Sequence, residues 1–171
     1  MNVVVIATNS LIQRYSKLTF HHFQMGLDIL VGRDLGLKKQ RKIWKGSYTA
    51  FAWFRGMIGL LHGLHSYAKL FGINRPVQGF DEPKHQELAQ AEFWRLYARR
   101  PELECFFSHS DTEGIWTPEE CAVISAMLRD VRDKLPLEEH WGHIGNWQET
   151  LDRFITGLDV CVGNHINAVF C

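Results

Sequence analysis

Thr117-Pro118-Glu119-Glu120 constrains the fold most, because it fixes where a helix starts and which way its apolar face turns. A Thr N-cap with Glu three positions on is a capping box, and Pro is favoured at the first helical position. From there Cys121, Ile124, Leu128, Val131 and Leu135 fall at steps of 3, 4, 3 and 4. That is the spacing of one buried helix face, and it predicts a helix over Pro118–Leu135. Three further stretches read the same way. Ser47 caps a predicted helix over Tyr48–Leu70, stopped by Gly72, with Ala50, Trp53, Phe54, Met57, Leu61, Leu64 and Ala68 on its core face. Gly56, Gly59 and Gly63 interrupt it. Each weakens a helix by roughly 1 kcal/mol against Ala, and each suits a neighbour that packs closely. Asp81 caps a helix over Glu82–Arg99, with Leu88, Ala91, Phe93, Trp94 and Tyr97 expected inside and Pro101 ending it. Asn146, with Glu149, opens a helix over Trp147–Val162 that turns Trp147, Leu151, Phe154, Ile155, Leu158 and Cys161 inward.

Between these helices lie short extended runs. Met25–Gly32, "MGLDILVG", is bounded by glycines and reads as a strand. "NAVFC" closes the chain as another, and the two are candidates to pair. "ELECFF", Glu102–Phe107, reads as a short strand or extended run. "PLEEHWGHIG" and "INRPVQGF" read as loops. The expected fold is therefore mostly α (α+β), with four main helices and a small sheet of two or three short strands. Residues 1–24 look unlike the rest and read as an N-terminal extension. Residues 25–171 read as a single globular domain, and Met25 could serve as a second start of translation.

Charge narrows the function. Lys plus Arg and Asp plus Glu number 19 each, so the formal net charge is zero. General affinity for nucleic acid or a membrane surface would need a basic excess. Among the 171 residues 46% are hydrophobic, with six Trp and eleven Phe, enough for a sizeable core. The four cysteines contain no C-x-x-C pair, and the opening residues lack the basic region of a secretory signal. No apolar run approaches the length of a membrane span. The expectation is a cytoplasmic protein with free thiols.

Three segments occur in a telling order: "MGLDI" at Met25–Ile29, "GSYTAFAWFR" at Gly46–Arg55 and "HSDTEGIWTPEEC" at His109–Cys121. With the closing aromatic helix and "AVF" tail, they resemble a family of uncharacterised small proteins from bacteriophages and bacteria. Members of that family begin "MGLDI", carry a "GSYSGF…WR" helix start and have a "SDCEG" or "SDCDG" loop before a helix. The resemblance covers Met25 to Cys171. This chain departs from it at Thr112, where Cys is common, and in having a His before the Ser-Asp. A phage or prophage source is implied, with no activity attached.

Two places carry chemistry. With His109 as position 1 of a twelve-residue calcium loop, Asp111 is position 3, Glu113 position 5, Gly114 position 6 and Glu120 position 12. Against this, position 1 wants an oxygen ligand, Pro101 and "CFF" do not make a good entering helix, and Glu120 already belongs to the capping box. The second place is the Gly46-Ser47-Tyr48 helix start, where free N–H groups and the helix dipole favour an anion. Arg33, Lys38, Lys39, Arg41, Lys42 and Lys45 precede it. Tyr48, Arg55, His62 and His65 fall close to one helical face, so Arg55 could clamp a phosphate and Tyr48 stack on a base. Alternatively, Arg55 pairs with a core acid such as Asp28 or Asp111. His62-x-x-His65 and His140-x-x-His143 could offer metal ligands, and Ser108-His109-Ser110-Asp111 holds the residue types of a catalytic triad.

The leading expectation is an accessory protein that binds an anionic, nucleotide-like ligand or a host protein. Its site would use Ser47, Tyr48 and Arg55, with His109 and Asp111 brought in from the loop. The alternative is a metal-dependent hydrolase or nuclease using His109, Asp111, Glu113 and the His pairs. A protein-binding module with no small ligand is the third reading. A homo-oligomer is a further expectation, with Trp141 and Trp147 at its surface.

Overall fold

The computed structural model describes residues 26–32, 41–73, 82–110, 113–135, 140–141 and 145–171. The expected extension at residues 1–24, Lys38, Lys39, Asp111 and His143 lie outside them. Strand β1 is Gly26–Val31 and β2 is Arg41–Ser47. Helices α1, Tyr48–Leu61, and α2, His65–Leu70, follow. Then come α3, Glu82–Tyr97, and the short α4, Glu104–Phe107. Strand β3, Gly114–Trp116, leads into α5, Pro118–Val131. A two-residue ladder of β4, His140–Trp141, and β5, Gly145–Asn146, precedes α6, Trp147–Asn164. Strand β6, Ala168–Phe170, ends the fold.

The main sheet is antiparallel in the order β2-β1-β6-β3. The expected pairing of the first and last strands is present: Ile29 faces Phe170 and Val31 faces Ala168. Backbone bonds of 2.9 Å in both directions between Asp28 and Cys171 extend it. The sheet thus joins the beginning of the described chain to its end, and this is why the carboxyl terminus reaches the loop before α5. The basic stretch ahead of α1 supplies β2, which the sequence reading did not assign as a strand. Ile43 and Trp44 are buried there, Lys42 and Lys45 are exposed, and Lys42 forms an ion pair with Asp28.

The fold is mostly α with a small sheet, as expected, with local departures. The predicted Tyr48–Leu70 helix breaks at His62-Gly63-Leu64. Gly63 takes φ +85°, a conformation that ends an α-helix. The chain turns, and α2 packs back on α1. An added Cβ at Gly59 would sit 2.8 Å from Tyr67 Cδ1, and one at Gly56 2.9 Å from Ile73 Cδ1. These two glycines therefore set the close approach. The start of α2 has no side-chain cap of its own, and Glu92 of α3 supplies one. Its carboxylate accepts from the N–H of Ser66 at 2.8 Å and of Tyr67 at 3.3 Å.

"ELECFF" is helical rather than extended. A 3-10 turn at Pro101–Leu103 runs into α4, and Leu103, Phe106 and Phe107 are all buried. A short apolar run does not distinguish strand from helix by periodicity, and Pro at the first position of the turn decides it here. In α3 the expected inside residues Leu88 and Trp94 are exposed, at 42% and 48%. The buried face is carried by His85 and Ala89 instead. Trp147, expected at an oligomer surface, is in the core, stacked on Phe54 with ring centroids 6.2 Å apart.

That core is aromatic. Phe54 stacks on Phe154 at 4.9 Å, and Trp44 meets Phe51 at 5.3 Å. Helices α5 and α6 bring their predicted stripes together, from Cys121 to Val131 and from Trp147 to Cys161. Exposed ion pairs flank their seam, Arg132–Asp152 at 2.7 Å and Arg129–Asp159. None of the four cysteines is joined in a disulfide. Among the described residues no helix is long and apolar enough to cross a membrane.

Two predictions follow from packing and burial. Helix α6 lies so close to β2 that a Cβ at Gly157 would overlap Ile43 Cγ2. Gly157→Ala should lose about 1–3 kcal/mol of stability in urea unfolding. The Gly157→Ala/Ile43→Ala double variant should lose less than the two single losses together, because the clash is removed; strict additivity would contradict the contact. His62 closes α1 with its ring edge-on to Phe107. Burial holds its pKa below the ordinary 6.5, helped by the charges of Arg100 and Lys134 and opposed by Asp130. A lowered folded pKa means that the unfolded chain binds the proton more readily. Stability from His62 is therefore fully present above pH 6.5 and declines as pH falls below it. Urea unfolding of wild type and His62→Gln across that window should show a steeper acid loss for wild type.

Candidate functional site

Arg55 lies in the middle of α1 and is fully buried. The helix is enclosed over most of its circumference, so the guanidinium points into the molecule. Its Nη1 donates to the carbonyl oxygens of Phe106 at 3.2 Å and His109 at 2.9 Å. The guanidinium carbon sits 5.3 Å from the centroid of the Phe51 ring, within cation–π range. Asp28, one expected acid partner, is paired with Lys42. Among the described residues Arg55 thus gathers the carbonyls of Phe106 in α4 and of His109 just beyond it, while Asp111, the other expected acid, lies outside them.

The loop beyond α4 is organised around His109. Its ring stacks on Phe170 of β6 with centroids 4.1 Å apart and meets the edge of Trp116 at 5.4 Å. Nδ1 lies 2.6 Å from the Ser110 carbonyl oxygen and Nε2 3.1 Å from that of Ile115. Carbonyls only accept, and a neutral imidazole has one N–H, so the ring serves one of them at a time. Gly114 takes φ +118°, and a Cβ there would lie 3.0 Å from His109 Nε2. Glycine is needed for the turn and for the ring above it. Trp116 is fully buried, and its indole N–H donates to Cys105 O at 3.2 Å. The Tyr97 hydroxyl lies 3.1 Å from Ser108 Oγ, which ties in α3.

This arrangement has the frame of a calcium loop with different contacts inside it. A helical turn enters, a glycine at position 6 makes the turn, a short strand follows and a helix leaves. A calcium loop draws the carbonyl of position 7 and the carboxylate of position 12 onto the ion. Here the position-7 carbonyl of Ile115 faces the imidazole. The position-12 carboxylate of Glu120 accepts from the Thr117 N–H at 2.8 Å, and Thr117 Oγ1 accepts from the Glu120 N–H at 3.3 Å. The predicted capping box is present. Glu113 is exposed, and among the described residues no group of three His, Cys, Asp or Glu side chains is placed to hold a metal.

Beside the loop is an open depression of about 340 Å³ lined by Glu104, Cys105, Ser108, His109 and Glu120. Burial pushes the Cys105 thiol up to about 12, and the Glu120 carboxylate adds to this. Near neutral pH Cys105 is a thiol rather than a nucleophilic thiolate.

At the other expected place, Ser47 Oγ accepts from the Ala50 N–H at 3.1 Å, so the N-cap is present as read from sequence. Tyr48 is half-buried, Lys45 is exposed, and the 14-residue α1 starts beside them. The structure thus separates the expected site residues. Ser47 and Tyr48 form one group at the helix start; buried Arg55 and half-buried His109 form another around the loop after α4. The helix break removes His65 from the face shared with Tyr48 and Arg55. Trp116 and Phe170 complete this second group, beyond the residues expected at the site. Their only signal was an aromatic residue at position 8 of the loop and another in the closing strand.

Comparison with protein-family models, with curated proteins and with solved structures found no match to this chain.

Arg55→Met keeps the length and apolar volume of the side chain while removing its donors. It should lower stability by about 1.5–3 kcal/mol in urea unfolding, the scale of hydrogen bonds to a charged group. Unchanged stability would show that the two carbonyl contacts do not hold the loop.

Proposed function

We propose that this chain is a non-catalytic accessory protein that works by binding an anionic, nucleotide-like ligand where β2 runs into α1. The observation that carries this reading is the helix start itself. Lys45 projects from β2, Ser47 caps the helix and half-buried Tyr48 opens it. A helix leaves its first N–H groups without partners in the helix, and Ser47 serves one of them. The others, the positive end of the dipole and the Lys45 ammonium suit phosphate oxygens. The Tyr48 ring offers a surface for a base.

Arg55 and His109 take a different part in this reading from the one expected of them. Arg55 is engaged with backbone carbonyls in the interior and half-buried His109 with carbonyls of its own loop, so in this reading they position the scaffold instead of touching the ligand. The same engagement, with Glu120 in its capping box, favours binding over metal-assisted hydrolysis. The resemblance to phage and bacterial proteins adds the setting: the cytoplasm of a bacterial cell.

A thermal-shift titration tests this, using inorganic pyrophosphate and nucleoside mono-, di- and triphosphates against sodium chloride of equal ionic strength. A ligand at a hundred times its Kd adds about 2.7 kcal/mol, or roughly 5–10 °C for a chain of this size. Lys45→Glu should abolish the rise and leave the unliganded Tm in place. No rise with any of these anions would overturn the reading.

A further inference from the structure

The outward face of α3 carries a pattern of apolar and charged side chains that stays exposed among the described residues. The inner face is settled by packing: His85 and Ala89 are buried, and Glu92 caps α2. On the opposite side lie Lys84, Glu87, Leu88, Trp94, Arg95 and Ala98, all exposed, around half-buried Ala91. Leu88 and Trp94 are two of the three large apolar side chains exposed among the described residues.

These residues are symmetric about Ala91. Leu88 and Trp94 each stand three positions from it, and Glu87 and Arg95 each stand four. A second α3 laid antiparallel, with the two-fold axis at Ala91, therefore brings Glu87 level with the copy's Arg95 and Leu88 level with its Trp94. The axis repeats the same set on the other side. Two neutral layers result, each with one Glu, one Arg, one Leu and one Trp, flanking a pair of alanines small enough to let the helices approach. A parallel arrangement would instead place Glu87 beside Glu87 and Arg95 beside Arg95. Self-complementarity of this kind is what an isologous two-fold interface requires.

We infer that the outer face of α3 is a dimer interface, occupied by a second copy of this chain in antiparallel register about Ala91. The aromatic and apolar residues supply the contact, and the Glu87–Arg95 layers select the orientation. This interface is separate from the anion site and stands or falls independently of it.

Sedimentation velocity of the full chain over a concentration series tests the inference. Wild type should show a monomer–dimer equilibrium, and Trp94→Glu should weaken it by roughly tenfold or more. Glu87→Arg and Arg95→Glu should each weaken it, and the Glu87→Arg/Arg95→Glu double variant should restore it, because the swap returns each layer to neutrality. Circular dichroism should be the same for all, since every position is on the surface. A chain that stays monomeric at all concentrations, or a dimer insensitive to Trp94→Glu, would overturn the inference. So would a double charge swap no better than the single ones.

Discussion

A buried guanidinium holds this fold in register. Arg55 sits in α1, and hydrogen bonds from its Nη1 reach the carbonyls of Phe106 in α4 and of His109 at the start of the loop to α5. Taking a charged group out of water costs several kcal/mol, so such a group persists only where its donors are met. The Phe106 and His109 carbonyls and the face of Phe51 contribute to that here. The consequence is mechanical. The helix carrying Arg55 cannot shift without releasing the loop, and the loop carries His109, whose ring rests on the last strand of the sheet. One side chain thereby couples the first helix, the loop and the carboxyl terminus.

The loop illustrates how a ligand frame and a structural frame can share a pattern. Spacing of acids and a glycine suggested calcium, and the glycine, short strand and exit helix are in the places that such a loop needs. The difference lies in two contacts. An imidazole faces the carbonyl that an ion would draw in, and a backbone N–H takes the carboxylate. Both contacts are local, and both tie the loop to its own backbone between α4, β6 and α5.

Much of the architecture was legible because caps and apolar periodicity are local properties. The Thr117–Glu120 box, the Ser47 and Asn146 caps and the stripes of α5 and α6 are all present. So is the pairing of the first strand with the last. The misreadings have a common cause: they depend on tertiary contacts. Gly63 had to adopt a positive φ for the long helix to become two. Leu88 and Trp94 looked like core because they are apolar, yet α3 turns His85 and Ala89 inward. Strand β2 was hidden under its lysines, since half of a two-sided strand faces solvent. For Arg55 the sequence leaves a ligand clamp and a core pairing both open, because it reports a cation on a helix but not the carbonyls 51 and 54 residues away that accept from it. Asp111 lies outside the described residues.

In the proposed function Arg55 and His109 build the scaffold, and the start of α1 meets the anion. Nitrogen-15 NMR of the labelled chain with and without saturating pyrophosphate tests that division most directly. The account predicts that the amides of Ser47 to Thr49 shift, while the Arg55 side-chain N–H signals stay protected from exchange and unmoved. Movement of the Arg55 guanidinium signals with the helix-start amides unchanged would contradict it, and would return Arg55 to the ligand.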